Sequence, residues 1–292
     1  MIFRPAVGRS TSSGAKGSSM IVVSAAGGAL GRLVLDGLRR TRPEERIVAA
    51  VRHPAKAADL AARGIEIRHG DYDDPASLRS AFAGAERLLL ISSPEIDPAR
   101  RIAQHGAAVE AARAAGVGTL VYTSFLGADT RSTGVPAAHF ATERLIEDSG
   151  LPCTFLRNPF YSEAFLNPSL LDAVASGELP DGTAGRGLNT AFRTDLAEAA
   201  VRVLTSAEPA NRAYDLTGPL WTHPELAASL SHASGTPVKA VPRSAPAPAA
   251  FAFLESLAAS GALELQTSDL AALLPHPPRT AGSYAASLFP PL

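Results

Sequence analysis

The chain has 292 residues, enough for one large α/β domain or for a cofactor domain with an appended lobe. Apolar residues make up 46% of it, charged residues 19%, and the formal net charge is −1. No basic or acidic surplus points to nucleic acid or a charged membrane surface as partner, and the single cysteine, Cys153, excludes an intramolecular disulfide and fits a reducing, cytoplasmic setting.

Residues 1–19 are rich in Gly and Ser, carry Arg4, Arg9 and Lys16 without an acid, and lack a sustained apolar stretch. They read as a disordered extension ahead of Met20, not as a signal peptide. No run of about 18 apolar residues occurs, which argues against a membrane span.

From Met20 onward, short β-branched runs alternate with helical stretches, the pattern of successive βαβ units. Strands are predicted at Ile21 to Ser24, Arg46 to Val51, Ile65 to His69, Arg87 to Ser92, Thr119 to Ser124 and Cys153 to Arg157. Leu88-Leu89-Leu90-Ile91 is apolar throughout, as a strand covered by helices on both faces should be. Cys153 is expected to be a small buried residue of the last strand. Pro54, Pro75, Pro98 and Pro136 mark helix starts, and Gly64, Gly84, Gly116 and Gly150 mark helix ends. Asp73 or Asp74 supplies an N-cap ahead of Pro75.

After Asn158 the prolines become dense and the alternation loosens. Thr194-Asp195 is predicted to cap a helix running to Leu204, and Ala213 to Thr217 reads as a strand that can return to the main sheet. The expected fold is α/β: a Rossmann-type doubly wound parallel sheet over residues 20–158, with a smaller C-terminal substrate-side lobe over 159–292.

The first strand runs into Ser24-Ala25-Ala26-Gly27-Gly28-Ala29-Leu30-Gly31 before a helix begins. A dinucleotide pyrophosphate would sit there, on backbone N–H groups and the positive end of the helix dipole. Gly28 and Gly31 have the spacing of the last two glycines of a Gly-x-x-Gly-x-x-Gly turn, whereas Ala25 stands where the first belongs. The second strand ends in Val51-Arg52-His53 in place of the Asp or Glu that would accept from a ribose 2′-hydroxyl. A guanidinium there, with Lys56 nearby, suits a 2′-phosphate and favours NADPH.

The chemistry is bounded by what is missing. The three lysines are Lys16, Lys56 and Lys239, and none follows a tyrosine by four residues, so the Tyr-x-x-x-Lys dyad of alcohol dehydrogenation is absent. The histidines lack metal-ligand spacing, and no Gly-x-Ser-x-Gly elbow occurs. Reduction of a quinone asks less, because the anion it forms is a phenolate whose conjugate acid has a pKa of about 10, as tyrosine has. Tyr161 is a candidate hydrogen-bond donor, Phe160 and Phe165 are candidate apolar walls, and His139 is a candidate polar contact or proton donor.

The segments Ile47 to Lys56, Gly70-Asp71-Tyr72, Leu88 to Ser93, Tyr122-Thr123-Ser124, His139 to Glu143 and Leu156 to Glu163 together resemble the NmrA-like branch of the atypical short-chain dehydrogenase/reductases. Among these, bacterial NAD(P)H:quinone oxidoreductases are the most similar. The resemblance implies that Asp71 and Tyr72 lie by the adenine, and that Ser92, Ser93, Thr123 and His139 lie toward the nicotinamide ribose. It places Asn158 and Tyr161 near nicotinamide and substrate. It also implies an aromatic acceptor such as a quinone, and is compatible with a homodimer. A second reading from the same branch is a sensor that binds the dinucleotide and signals through a protein partner without turning it over. A third is reduction of another conjugated acceptor such as a triarylmethane dye.

Overall fold

The computed structural model describes residues 19–130, 134–206, 211–244, 247 and 249–289. The predicted N-terminal extension, except Ser19, therefore lies outside the described residues. Strands β1 (Met20–Val23), β2 (Arg46–Val51), β3 (Glu66–His69), β4 (Arg87–Leu90), β5 (Thr119–Phe125) and β6 (Cys153–Asn158) alternate with helices. These are α1 (Ala29–Thr41), α2 (Ala58–Ala62), α3 (Pro75–Phe82), α4 (Pro98–Ala114) and α5 (Ala137–Asp148). There follow β7 (Phe160–Tyr161), α6 (Leu170–Ser176), β8 (Glu178–Asp181), β9 (Leu188–Ala191), α7 (Arg193–Leu204) and β10 (Arg212–Asp215). The chain ends in β11 (Leu220–Trp221), α8 (His223–Ser234), β12 (Lys239–Pro242), α9 (Ala249–Ala259), α10 (Asp269–Leu273) and α11 (Ala281–Ser287).

Seven parallel strands form the main sheet in the order β10-β6-β5-β4-β1-β2-β3. The chain runs outward from β1 through β2 to β3, then crosses to β4 on the other side of β1. This reversal opens a crevice beyond the carboxyl ends of β1 and β4. Alternation along each strand feeds both faces: Ile21 and Val23 join the apolar layer under α1 and α7, while Met20 and Val22 join the layer under α3 and α4. Predicted and observed strand ends differ by one or two residues, as fraying predicts.

Helix punctuation is local and behaves as such. Pro75 and Pro98 open α3 and α4. Gly64, Gly84, Gly116 and Gly150 all have positive φ. Asp74, not Asp73, caps α3 by accepting from the N–H groups of Ala76 at 3.1 Å and Ser77 at 3.2 Å. Cys153 is only partly buried at the start of β6.

The region after Asn158 departs further from expectation. Helix α7 packs beside α1 on the main sheet, and β10 pairs with β6 there, the return expected of the strand at Ala213 to Thr217. The lobe proper has two small sheets, β11-β9-β7 and β12-β8, around its own apolar cluster of Phe165, Leu188, Trp221 and neighbours. Thr194-Asp195 does not cap α7, because both residues lie inside it. The N–H of Arg193 instead donates to Glu163 Oε1 at 3.0 Å, and Asp195, buried, accepts from the N–H of Arg279 at 2.7 Å.

One buried ion pair joins the elements that carry the C-terminal edge of the sheet. Glu143 of α5 is fully buried and accepts from Arg157 Nε at 2.9 Å, Arg157 Nη2 at 2.7 Å and the Ser124 hydroxyl at 2.6 Å. Arg157 also faces Asp129 at 3.3 Å and Asp215 at 3.7 Å. Removing one member of such a pair strands the other charge in a medium that solvates it poorly. Glu143→Gln, which keeps the shape and removes the charge, is expected to cost about 3 kcal/mol of stability in urea unfolding. A loss within about 0.5 kcal/mol, typical of a surface change, would contradict this role.

Candidate functional site

The crevice at the β1/β4 reversal is a groove of about 840 Å³, within the usual range for a ligand site. Its walls come from the carboxyl ends of β1, β2, β3 and β4, from α4, and from Tyr161 and Arg193 of the later chain.

Its floor is the turn from β1 into α1. Gly28 is the N-cap of α1, and no side chain caps that helix. A Cβ on Gly28 would meet only Ala25 O at 3.5 Å, and one on Gly27 only Val51 Cγ1 at 3.9 Å. No described residue crowds these two positions, which border the groove. Gly31 differs: a Cβ there would lie 2.7 Å from Ala26 Cα, so glycine is required for the close approach of α1 to the turn. Uncapped helical N–H groups beside an open glycine surface fit a pyrophosphate by their donor chemistry.

Ala25 holds φ at +46°, a left-handed backbone that glycine adopts freely and alanine does not. It packs against the apolar layer under α1 while bordering the groove. Its cost is carried by the backbone.

At the end of β2, the side chains of Arg52 and Lys56 are exposed and form no hydrogen bond or ion pair among the described residues; Arg52 acts on Asp73 through space. The other groove cations are engaged. Arg32 pairs with Asp59 and donates to Gly27 O at 3.1 Å, fixing the turn. Arg100 meets Asp73 at 3.0 Å and Glu95 at 3.3 Å. The Asp73 carboxyl is held below its ordinary range by the Gln104 amide and then by Arg100.

Ser24 does not line the groove. It lies beneath, where the N–H of Ile91 donates to its Oγ at 2.9 Å, Tyr72 donates to Ile91 O, and Ser24 in turn donates to Tyr72 at 2.6 Å. This ring ties β1 to the segments after β3 and β4, and burial raises the Tyr72 phenol well above the ordinary value. Asp71, Tyr72, Ser92 and Ser93 all border the groove. The Ser93 hydroxyl is committed to Gln104. Thr123 is buried away from the groove, where its hydroxyl accepts from the N–H of Ser92 at 2.9 Å.

His139 is buried too, in a network whose proton positions follow from its partners. The Thr142 hydroxyl donates to Ala138 O at 2.7 Å, so its oxygen accepts from His105 Nδ1 at 2.8 Å. His105 Nε2 accepts from the N–H of Ser93 at 2.9 Å, which makes His105 neutral. Tyr122 then donates to His139 Nδ1 at 2.9 Å, leaving the His139 proton on Nε2, where it meets no acceptor among the described residues. Burial pushes both histidines down to about 3, so both are uncharged at physiological pH.

Strand β7 borders two spaces. Tyr161 lines the groove, with Arg193 stacked over its ring at 4.3 Å. Its neighbour Phe160 lines a different cavity, of about 240 Å³, with Phe125, Leu126 and Pro136. Burial raises the Tyr161 phenol, opposed by the Arg193 charge and by the amide of Asn158, which is itself buried with Oδ1 unpartnered among the described residues. Phe165, grouped with Phe160 by sequence, faces the lobe core against Trp221 instead, because the chain turns sharply after β7. Sequence reasoning missed Gln104, Arg193 and Asn189, a polar side chain in the wall of the smaller cavity.

An open parallel sheet with an uncapped glycine-lined helix start at its reversal point, and free cations at the end of its second strand, defines a dinucleotide-binding protein. The chain belongs to the NAD(P)H-binding family, whose description it matches over residues 25–207, and to its NmrA-like branch. It is 44% identical over 223 residues to quinone oxidoreductase 2 of Escherichia coli, a match covering 75% of this chain and 76% of the relative. It is 32% identical over 288 residues to an NmrA-like family domain-containing oxidoreductase of Aspergillus flavus, covering 89% and 92%. The crystal structure of the Citrobacter sp. triphenylmethane reductase complexed with NADP(H) is similar with a TM-score of 0.86 at 35% identity, covering 92% of this chain and 99% of that one. Among the described residues no helix is long and apolar enough to cross a membrane, and no cluster of three or more potential metal ligands occurs.

Ala25→Gly tests the conformational cost of the turn. A left-handed alanine costs roughly 1 to 2 kcal/mol, and glycine gives back about half through the freedom of the unfolded chain. The expected outcome is a gain of roughly 0.5 kcal/mol in urea unfolding, with NADPH affinity unchanged within about twofold by calorimetry. A loss of stability would contradict the strain, and a large gain in affinity would show that the methyl faces the ligand.

Proposed function

We propose that this chain is an NADPH-dependent oxidoreductase that passes hydride to a quinone or a similar conjugated acceptor. The observation that carries this reading is β7, whose two residues wall both the groove and the apolar cavity: Tyr161 on one side, Phe160 on the other. The 44% identical quinone oxidoreductase and the solved triphenylmethane reductase support the same class of acceptor.

The turn from Ala25 to Gly31 would hold the pyrophosphate, with Ala29 and Leu30 offering the first helical N–H groups. Arg52 and Lys56 would hold the 2′-phosphate. Asp71 and Tyr72 would border the adenine, and Ser92 and Ser93 the ribose on the nicotinamide side. Ser24 and Thr123 act from beneath, by fixing Ile91 and Ser92. Bound in this way, the reduced nicotinamide supplies the hydride.

The protein's own part is then to bind, orient and donate hydrogen bonds. A quinone reduced by hydride becomes a hydroquinone anion whose conjugate acid has a pKa of about 10. The raised Tyr161 phenol keeps its proton across the physiological range, so on the groove side of β7 Tyr161 serves as a hydrogen-bond donor toward the nicotinamide, and water supplies the proton to the anion. Asn158 sets the direction of that phenol. His139, buried and neutral, packs behind Phe125 with ring centroids 5.8 Å apart and is not among the lining residues of the groove or the smaller cavity. None of the three lysines follows a tyrosine by four residues. Alcohol oxidation through a lysine-activated phenol therefore has no machinery here.

The test is NADPH and NADH oxidation with a naphthoquinone, in the native chain and in Arg52→Ala. The native protein is expected to turn over NADPH at the higher kcat/KM. The variant is expected to lose about tenfold with NADPH and little with NADH, since one exposed charge-assisted contact is removed. Tight NADPH binding without turnover of any quinone would overturn the enzyme reading in favour of a sensor. Equal losses with both cofactors would overturn the assignment of Arg52.

A further inference from the structure

We propose that the smaller cavity selects acceptors bearing an N–H or O–H group on the ring, and that Asn189 is the residue that selects them. This rests on reading that cavity as the acceptor site. Its lining is apolar, with Phe125, Phe160, Leu263 and Leu265 among the walls, and Asn189 contributes the one polar side chain among its described lining residues.

The orientation of Asn189 is fixed from three sides. Alternation along β9 sends Leu188 and Thr190 into the lobe, where Thr190 accepts from Trp221 Nε1 at 3.0 Å, and sends Asn189 to the opposite face. The backbone N–H of Asn189 donates to Leu263 O at 2.8 Å, and its Nδ2 donates to Leu265 O. Turning the amide over would set its oxygen against that carbonyl oxygen, so Oδ1 must be the atom left over. Oδ1 is buried, in a residue only 2% exposed, and meets no donor among the described residues.

A buried acceptor without a donor is costly, and a ligand that brings an N–H or O–H relieves that cost. A ligand offering only ether or carbonyl oxygen, or a tertiary amine, cannot. The cavity thus fits an amino- or hydroxy-substituted quinoid or aromatic acceptor, its ring against the aromatic walls and its donor on Asn189 Oδ1.

The test compares aminonaphthoquinone with its N,N-dimethyl derivative, which differ in the N–H and little in electron donation. Steady-state kinetics with NADPH is run beside calorimetric binding of each compound to the protein carrying the oxidised cofactor, with unsubstituted naphthoquinone as the turnover control. The native chain is expected to favour the amino compound about tenfold in kcat/KM and in affinity. Asn189→Leu, in which Leu265 O still accepts from Gln266 Nε2 at 2.9 Å, is expected to bring that ratio to within about twofold. The native comparison decides even where the variant does not fold. Equal use and equal binding of the two compounds by the native chain, binding of neither, or a preference retained in a folded Asn189→Leu, would overturn the proposal. Turnover of naphthoquinone would leave the enzyme reading standing in those cases. Preferential binding with no turnover of any quinone would overturn the enzyme reading and uphold the selectivity.

Discussion

The Glu143–Arg157 pair is the constraint on which the working edge of the molecule depends. Glu143 comes from α5, Arg157 from β6 and their partner Ser124 from β5, so one buried charge network fixes three elements at the point where the sheet delivers its side chains. One residue after each strand partner stand Phe125, which walls the apolar cavity, and Asn158, which lies beside Tyr161. One turn before Glu143 stands His139. A buried ion pair is a poor source of net stability, but its directional bonds tolerate few alternative packings. Here that intolerance sets the register between α5 and the strands under it.

The same edge divides labour between two kinds of surface. The groove is backbone and charge: open glycines, an uncapped helix, and the side chains of Arg52 and Lys56, without partners among the described residues. The smaller cavity is apolar with a single amide. Two residues of β7 make the division, since successive side chains on a strand point to opposite sides. Beneath Ser93 and Phe125 the buried His105, Tyr122 and His139 form a polar network that carries no charge at physiological pH. A site that asks for a hydrogen-bond donor and an excluded-water stack, and not for a strong acid or base, is consistent with an acceptor that takes hydride readily.

Much of the main sheet was legible in the sequence because its signals are local. Strands β1, β2 and β4 are nearly uninterrupted apolar runs, and proline and glycine bracket many of the helices. The Ala25 anomaly was visible as a missing glycine, although only the backbone angle shows that its cost is conformational. What could not be read is non-local. Asp195 has the sequence context of a helix cap, yet it is claimed by the N–H of Arg279, 84 residues further on. Strands β7 and β11 are two residues long, too short to show a period. Phe160 and Phe165 look equivalent as apolar walls, but the turn after β7 sends Phe160 to the smaller cavity and Phe165 into the lobe core. Asn189 sits in Leu-Asn-Thr-Ala, where nothing local distinguishes an orphaned acceptor from a paired amide.

The central claim is that hydride passes from a cofactor held in the groove directly to an acceptor bound beside it. The most direct measurement is a single-turnover reaction of the protein with a naphthoquinone and NADPH deuterated at the transferred position, followed by mass spectrometry of the spent cofactor. A slowed reaction, with one equivalent of cofactor oxidised per quinone and the deuterium lost from the nicotinamide, is the predicted result. Oxidation at an unchanged rate with the label retained, or no oxidation of protein-bound NADPH by any quinone, would contradict it.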